Sequence, residues 1–196
     1  LGLDGNVGAI TVDVASGKAD ASDGHNVLSS KGGTVEIEST RYPFCFSGND
    51  KDPNGTRSIL PHSPFNQDLN RLTLTVKNLS TAHADVTFGT ATKTFSKEQL
   101  SDGINLAAEF FDNPFVAPFN RVLNEVAQKQ SAETSMIKGF ITNFRQIQGS
   151  LAEDAEVKAA LATIRRKMTE ANDTAHAKAK AAVEPVRYTL VINPKS

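Results

Sequence analysis

Hydrophobic and polar residues alternate with a period of two in several short segments of the first half of this chain. Such alternation is typical of a β-strand that buries one face. The segments are residues 10–14, 35–38, 71–77, 86–88 and 92–95. Turn-forming residues separate them, as at Gly32-Gly33, so the pattern predicts neighbouring strands joined by turns and hence an antiparallel sheet or small sandwich.

The alternation stops between Arg41 and Asn70. Proline and glycine recur from Gly48 to Pro64, which predicts a long ordered loop in place of a regular element. Loops of this length inside a compact domain are often functional. Candidate binding residues are therefore expected here and at the element ends beside it.

In the second half, the hydrophobic spacing changes to three and four residues, which is the helical period. Ser96 and Gln99 form a capping box that predicts a short helix interrupted near Gly103. Apolar stripes then predict helices around residues 119–126 and 136–144.

A second capping box, formed by Ser150 and Glu153, predicts that the longest helix opens here and runs over residues 151–183. Pro185 would end that helix, because proline cannot continue it. Alternation returns over residues 187–192 and predicts a last strand that rejoins the earlier ones.

The order of strands, helices and strand predicts an α+β fold. It would be an antiparallel β-sheet or small β-sandwich with a helical insertion of three to four helices, one of them long, before a final returning strand. We predict a β-rich half over residues 1–95, a helical insertion over residues 96–184, and a final strand over residues 185–196 that joins the β-rich half in one compact unit.

The chain has 196 residues, of which 39% are hydrophobic and 22% charged, as in an ordinary folded domain. Its formal net charge is −1 and it has no basic stripe, so no nucleic-acid partner is predicted. No apolar run approaches the roughly 20 residues that cross a bilayer, so no membrane partner is predicted either. Cys45 is the one cysteine, and its apolar neighbours predict an inert buried thiol.

One acidic segment resembles the first half of a calcium-binding loop. Asp50, Asp52 and Asn54 would supply alternate oxygen ligands, and Gly55 would permit the sharp turn. The twelfth position is Pro61, where such a loop needs a glutamate, so the sequence favours a polar turn over a calcium site. We predict no metal and no other cofactor, since metal-ligand spacing is absent among the four histidines, His25, His62, His83 and His176.

Two segments of the sequence resemble a known family. They are Pro64-Phe65-Asn66-Gln67-Asp68-Leu69-Asn70-Arg71-Leu72-Thr73-Leu74 and Gly103-Ile104-Asn105-Leu106-Ala107. With weaker likenesses elsewhere, they resemble the region that follows the catalytic domain in bacterial ester hydrolases of the SGNH/GDSL type. The resemblance covers nearly the whole chain.

The resemblance implies that a flavodoxin-like catalytic domain precedes these residues and carries the nucleophilic serine, the oxyanion groups and an Asp-x-x-His pair. Leu1-Gly2 resembles a Leu-Gly pair that follows the catalytic domain in the family. No catalytic residue can be transferred to this chain. Ser47-Gly48-Asn49-Asp50 contains letters of the family's Gly-x-Asn-Asp block, but here the glycine is adjacent to the asparagine, so the spacing differs.

The implied function is that of a C-terminal accessory region that packs on its own N-terminal catalytic domain and shapes the substrate cleft. The parent would hydrolyse acyl esters, including acetyl esters of carbohydrates, in the periplasm or outside the cell, while this chain alone would be inactive. Polar residues in loops and at element ends are the candidates for the cleft side: Arg41, Asn66, Asp68, Asn70, Arg71 and Asn105. Alternatively, Asn66, Asp68 and Asn70 satisfy hydrogen bonds of turns and caps.

Two other classes of function remain open from the sequence. The chain could be a stand-alone module that binds carbohydrate or protein, although the absence of tryptophan and the presence of only two tyrosines count against carbohydrate. It could also be a scaffold that oligomerises through the long alanine-rich helix.

Overall fold

The computed structural model describes residues 4–195, so the predicted Leu1-Gly2 likeness lies outside the described residues. The chain separates into two compact units. The first unit runs to Phe119 and resumes at Pro185, and the second is Asn120–Glu184. The predicted boundary at residue 96 marks the start of the helices, whereas the separation between units falls at Asn120.

Four strands of the first unit form one sheet in the order β2-β1-β5-β8. The two central strands, β1 and β5, are parallel to each other, and both outer strands are antiparallel to their neighbours. The strands are β1 (Asn6–Asp13), β2 (Lys18–Ala21), β5 (Arg71–Lys77) and β8 (Ile104–Asn105).

The second sheet has five strands in the order β3-β4-β9-β6-β7, and every neighbouring pair is antiparallel. The last strand of the chain therefore returns to the β-rich unit, as predicted, and takes the central position between β4 and β6. The strands are β3 (His25–Lys31), β4 (Thr34–Ser39), β6 (His83–Phe88), β7 (Ala91–Ser96) and β9 (Val186–Lys195).

The inner faces of the two sheets share one hydrophobic core, which makes the first unit a β-sandwich. Ile10 of β1 and Leu74 of β5 contribute from one sheet, and Ile37 of β4 and Leu190 of β9 contribute from the other. All four side chains are fully buried. The predicted α+β fold with a helical insertion is therefore confirmed. Both sheets are mainly antiparallel, and the β1–β5 pair is parallel.

The long loop after β4 contains two short helical segments that its sequence did not predict. They are a 3₁₀ segment (Thr56–His62) and the one-turn helix α1 (Phe65–Asp68). Aromatic packing holds the loop in place, since the ring of Phe44 lies 4.9 Å from Phe46 and 5.4 Å from Phe65 between centroids.

Two short helices follow β7 within the first unit. The helix α2 (Lys97–Asp102) begins with the predicted capping box, in which the Ser96 hydroxyl accepts from the Gln99 amide, and it ends at Gly103 as predicted. The helix α3 (Leu106–Glu109) begins directly after β8, and the Asn105 side chain caps it.

The second unit is helical. The helix α4 (Val116–Thr134) leads into a π-helical segment (Ser135–Thr142), which is followed by α5 (Arg145–Ser150) and α6 (Ala155–Ala181). With 27 residues, α6 is about 40 Å long.

The predicted start of the long helix at residue 151 is wrong. Residues 151–153 form a turn, and Asp154 is the N-cap because its carboxylate accepts from the Val157 amide. Serine and aspartate are comparable N-caps, and the prediction used Ser150 without considering Asp154. The local hydrogen bond of Asp154 is the one the structure uses.

Candidate functional site

Asn70 is fully buried beside the start of β5, and its side-chain amide fastens the long loop to the sandwich. Its Oδ1 accepts from the Phe44 main-chain amide at 2.7 Å. Its Nδ2 donates to the Phe44 carbonyl at 3.1 Å and to Asn66 Oδ1 at 2.9 Å. The amide thus replaces a strand partner for Phe44, at a place where the backbone has left the sheet.

Asn105 extends this hydrogen-bond network to β8. Its Nδ2 donates to the main-chain carbonyls of Asn66 at 3.0 Å and Asn70 at 3.1 Å. Its Oδ1 accepts from the amides of Leu72 and Ala107, both at 3.1 Å. The three predicted asparagines therefore meet in one network. The side chains of Asn70 and Asn105 bind main-chain groups, and the side chain of Asn66 accepts from that of Asn70.

Arg71 holds the first residues of the described chain. Its Nη1 donates to the carbonyls of Gln67 at 2.6 Å and Asp68 at 3.0 Å, and its Nη2 donates to the carbonyl of Asp4. The one guanidinium therefore ties α1 to the segment that enters β1. Asp68 contributes its main-chain carbonyl to this contact and is itself exposed.

Arg41 reaches the same incoming segment from the other sheet. Its Nη2 donates to the carbonyl of Asn6 at 2.9 Å. Gly24 leaves the space that its side chain occupies, because a Cβ at Gly24 would lie 2.4 Å from Arg41 Cδ. The two predicted arginines thus clamp the backbone where it enters β1, Arg71 at Asp4 and Arg41 at Asn6, the first residue of the strand.

A hollow of about 350 Å³ lies beside the clamped segment. Val7, Tyr42, Phe65 and Leu69 make most of its wall apolar, and Arg41 places a cation at its rim. Leu69 is 51% exposed there. Of the six predicted cleft residues, Arg41 lines this hollow, while the asparagine network lies in the protein behind the loop. Contact of the six with a substrate stays a prediction.

The acidic stretch of the long loop forms a closed polar turn. Asp50 pairs with Arg57, whose Nε lies 2.7 Å from the carboxylate, and the same guanidinium lies over the Phe111 ring at 3.8 Å. Asp52 Oδ1 accepts from the Asn54 amide at 2.9 Å. Within residues 4–195, no group of three or more His, Cys, Asp or Glu side chains could hold a metal ion.

A buried serine–histidine pair, which sequence reasoning missed, lies between the sheets. His25 Nδ1 and Ser39 Oγ are 2.7 Å apart, and the Ser39 and Tyr188 hydroxyls are 3.2 Å apart. Ser39 falls on the inner face two residues after Ile37, so the alternation of β4 contained the signal. Ser39 is 0% exposed. In a catalytic triad the second ring nitrogen of the histidine bonds a carboxylate, whereas His25 Nε2 lies 3.0 Å from the Val7 main-chain carbonyl. Ser39 is therefore out of reach of a substrate, while His25 lines an open hollow of about 300 Å³.

Burial lowers the pKa of His25 below its usual 6.5, against the opposing effect of its bond to the Val7 carbonyl. Arg41 lowers this pKa further and Asp23 raises it. The folded protein therefore favours the neutral imidazole, whose Nε2 donates to the Val7 carbonyl. The unfolded chain protonates this histidine more readily than the folded protein does.

We expect the free energy of unfolding to be highest above pH 6.5 and to fall as the pH drops towards 5. The slope from one histidine is at most about 1.4 kcal/mol per pH unit. Urea denaturation at pH 8 and pH 5 measures the difference. His25→Gln should reduce the pH dependence, whereas the exposed His62→Gln should keep it. Equal pH dependence in both variants would contradict the assignment.

Cys45 is buried, as predicted. Burial raises the pKa of its thiol to about 12, only partly offset by a contact with the Asn113 side chain. The thiolate is the reactive form of cysteine, so this side chain is inert near neutral pH.

Among the described residues, no helix is both long and apolar enough to cross a bilayer.

Comparisons with known proteins place the fold. No protein-family model matches the sequence, and no curated protein does. A solved structure of a gut microbial diltiazem-metabolizing enzyme matches with a TM-score of 0.61 at 16% sequence identity. The match covers 96% of this chain and 50% of that enzyme, so the chain spans about half of the enzyme's length. This chain therefore has the fold of about half of a larger enzyme.

Proposed function

We propose that this chain is the C-terminal accessory region of a larger ester hydrolase of the SGNH/GDSL type. The match of nearly the whole chain to half of an enzyme carries the proposal. In such a protein the other half contains the catalytic domain, and the region described here packs on it and shapes the substrate cleft. The two sequence phrases that resemble this family support the same assignment.

The chemistry of the described residues agrees with this division of labour. Ester hydrolysis by a serine enzyme needs an accessible nucleophile, a histidine base and oxyanion donors. Ser39 and His25 are the closest approach to such a pair in this region, and both are buried. The reacting groups therefore belong to the preceding domain, whose serine would attack the ester carbon while its histidine moves the proton.

The clamped segment at the start of β1 would fix the connection between this region and the preceding catalytic domain. Arg41 and Arg71 bind its carbonyls, and Gly5, at a φ of +72°, packs so closely that a Cβ would overlap the Asp68 carbonyl. The catalytic domain would rest on the adjacent apolar hollow and cover Leu69.

The substrates we propose are acyl esters, including acetyl esters of carbohydrates. The catalytic step would need no metal or cofactor, because serine, histidine and hydrogen-bond donors suffice. A periplasmic or secreted location follows from the same assignment. The accessory region would contribute cleft walls, for which the exposed edge of the hollow at Arg41 is the best candidate among the six predicted residues.

Turnover of p-nitrophenyl acetate separates this proposal from a self-sufficient enzyme. We expect the 196-residue chain alone to hydrolyse the ester at the buffer rate and the protein expressed from the whole gene to hydrolyse it with measurable kcat. Clear turnover by the isolated chain, abolished by a single serine substitution within it, would refute the placement of the nucleophile outside this region.

The docking hollow is tested with Leu69→Glu in the whole-gene protein. The charge should loosen the junction, so that limited proteolysis releases this region faster while its own thermal unfolding is unchanged. Leu28→Glu is the matched control, since Leu28 is 44% exposed on β3, away from the hollow. Equal protection in the two variants would exclude the hollow as the docking surface.

A further inference from the structure

The helical unit, Asn120–Glu184, exposes several large hydrophobic side chains. Phe140 is its one large hydrophobic side chain with less than a tenth of its surface exposed, among the residues that the structure describes. Six others are largely exposed: Leu123, Ile137, Ile141, Leu151, Ile164 and Val183. A helical segment of this size needs a shared core to be stable, so another surface must cover these side chains.

Two apolar grooves run along α6. The first, about 400 Å³ in volume, lies between α4 and α6, and Val122, Val126, Ala179 and Val183 line it. The second, about 280 Å³, lies between α6 and the segment before it, with Leu151, Val157 and Leu161 in its wall. The helices of this unit therefore leave open space along α6, both beside α4 and beside the segment before α6.

The spacing of the half-buried residues on α6, of which Leu161 lines the second groove, indicates what kind of element packs against this helix. Leu161, Met168, Ala175 and Ala182 recur every seven residues, and all four are half-buried. A seven-residue repeat is the pattern of helices packed against helices. The missing partner is therefore helical, and two facing hairpins of helices make a four-helix bundle with a closed core.

We propose that the partner is a second copy of this chain, which pairs with the first in an antiparallel four-helix bundle. The charges on α6 and its cap are arranged for that pairing. Asp154 and Glu156 make its beginning acidic, while Lys178 and Lys180 make its end basic. Antiparallel α6 helices bring the acidic end of each copy to the basic end of the other, whereas parallel helices would bring like charges together.

The surface available is the size that a stable dimer needs. A face two helices wide, about 20 Å, and about 40 Å long offers roughly 800 Å² per copy. Specific interfaces of standard size bury about 800 Å² on each partner. The formal net charge of −1 adds no appreciable repulsion between copies.

The mass in solution is the first test. Light scattering over a concentration series should give twice the 21.0 kDa of one chain, falling to one chain on dilution. The doubly reversed variant Lys178→Glu/Lys180→Glu should raise the dimer dissociation constant about tenfold or more. Asp154→Lys/Glu156→Lys should do the same. An equimolar mixture of the two variants should recover dimers that contain one copy of each.

The control is Lys18→Glu/Lys31→Glu, which makes the same change in net charge on exposed residues of the β-sandwich. It should leave the dissociation constant unchanged. A wild-type chain that stays monomeric at every concentration would overturn the proposal. So would a mixture of the two α6 variants that dissociates as readily as each variant alone.

Disulfide trapping tests the orientation even if charge reversal disturbs α6. Glu156→Cys and Lys180→Cys place single thiols at its two ends, and the buried native Cys45 does not compete. Oxidation of the mixed variants should yield crosslinked heterodimers, and each variant alone should crosslink far less. Equal self-crosslinking by each variant would rule out the antiparallel arrangement.

Discussion

Replacing Gly33 with alanine is expected to lower the free energy of unfolding by about 3–5 kcal/mol, which shifts the melting temperature by roughly 6–20 °C. Gly33 has a φ of +79°, and a Cβ there would lie 2.2 Å from the carbonyl oxygen of Ile192. The Ile192 amide also donates to the Gly33 carbonyl at 2.8 Å. The central strand β9 therefore passes so close to the β3–β4 turn that only a glycine fits.

The neighbouring Gly32 is a matched control for this substitution. It has a φ of +57°, and nothing lies within 4 Å of the position where a Cβ would stand. Gly32→Ala should therefore cost only the left-handed backbone conformation, about 1 kcal/mol. Urea unfolding of both variants measures the difference. Similar losses at the two positions would show that backbone conformation, not the contact with β9, sets the cost.

Asn70→Ala is expected to cost about 3–4 kcal/mol, the second largest effect. The substitution removes the partner of the Phe44 amide and leaves the Phe44 carbonyl and Asn66 Oδ1 each without the bond that Asn70 supplies. Leaving one buried polar group unsatisfied costs about 1–3 kcal/mol. The site lies under the long loop, so limited proteolysis between residues 44 and 66 should also accelerate.

The exposed Asn26 on β3 serves as the control for Asn70. Asn26→Ala should stay within about 0.5 kcal/mol of the wild-type stability. A double variant, Asn70→Ala with Asn105→Ala, should lose less than the sum of its parts, because Asn105 donates to the Asn70 carbonyl in the same network and neighbouring sites are not additive. Strict additivity would argue against one connected network.

The strands with one buried face could be predicted from sequence because their alternation is strong. β4 and β9 bury every second side chain, and so do β5 and β6 over most of their length. β2 and β3 were missed, since Lys18–Ala21 and His25–Lys31 are edge strands with few apolar residues and little burial. The parallel pairing of β1 with β5 joins residues some sixty positions apart, and no local pattern encodes a contact at that distance.

The candidate site could likewise be predicted only in part. The sequence identified Asn66, Asn70 and Asn105 as polar residues beside apolar ones. For Asn66 and Asn70, both substrate contact and hydrogen bonds of turns and caps were open. The structure shows the side chains of Asn70 and Asn105 bonded to main-chain groups and the side chain of Asn66 bonded to that of Asn70. Contact between Ser39 and His25 arises only when β3 and β4 pair, so it became visible only in the folded sandwich.

The local sequence pattern was enough to predict the α+β order, the alternation of most strands, the capping box at Ser96 and the return of the last strand. Hydrophobic period and capping depend on residues within one or two turns of each other. The tertiary structure decided the strand order, the start of α6 at Asp154 and the roles of Arg41 and Arg71. These depend on which distant carbonyls and amides come within hydrogen-bond reach, and folding alone brings those atoms together.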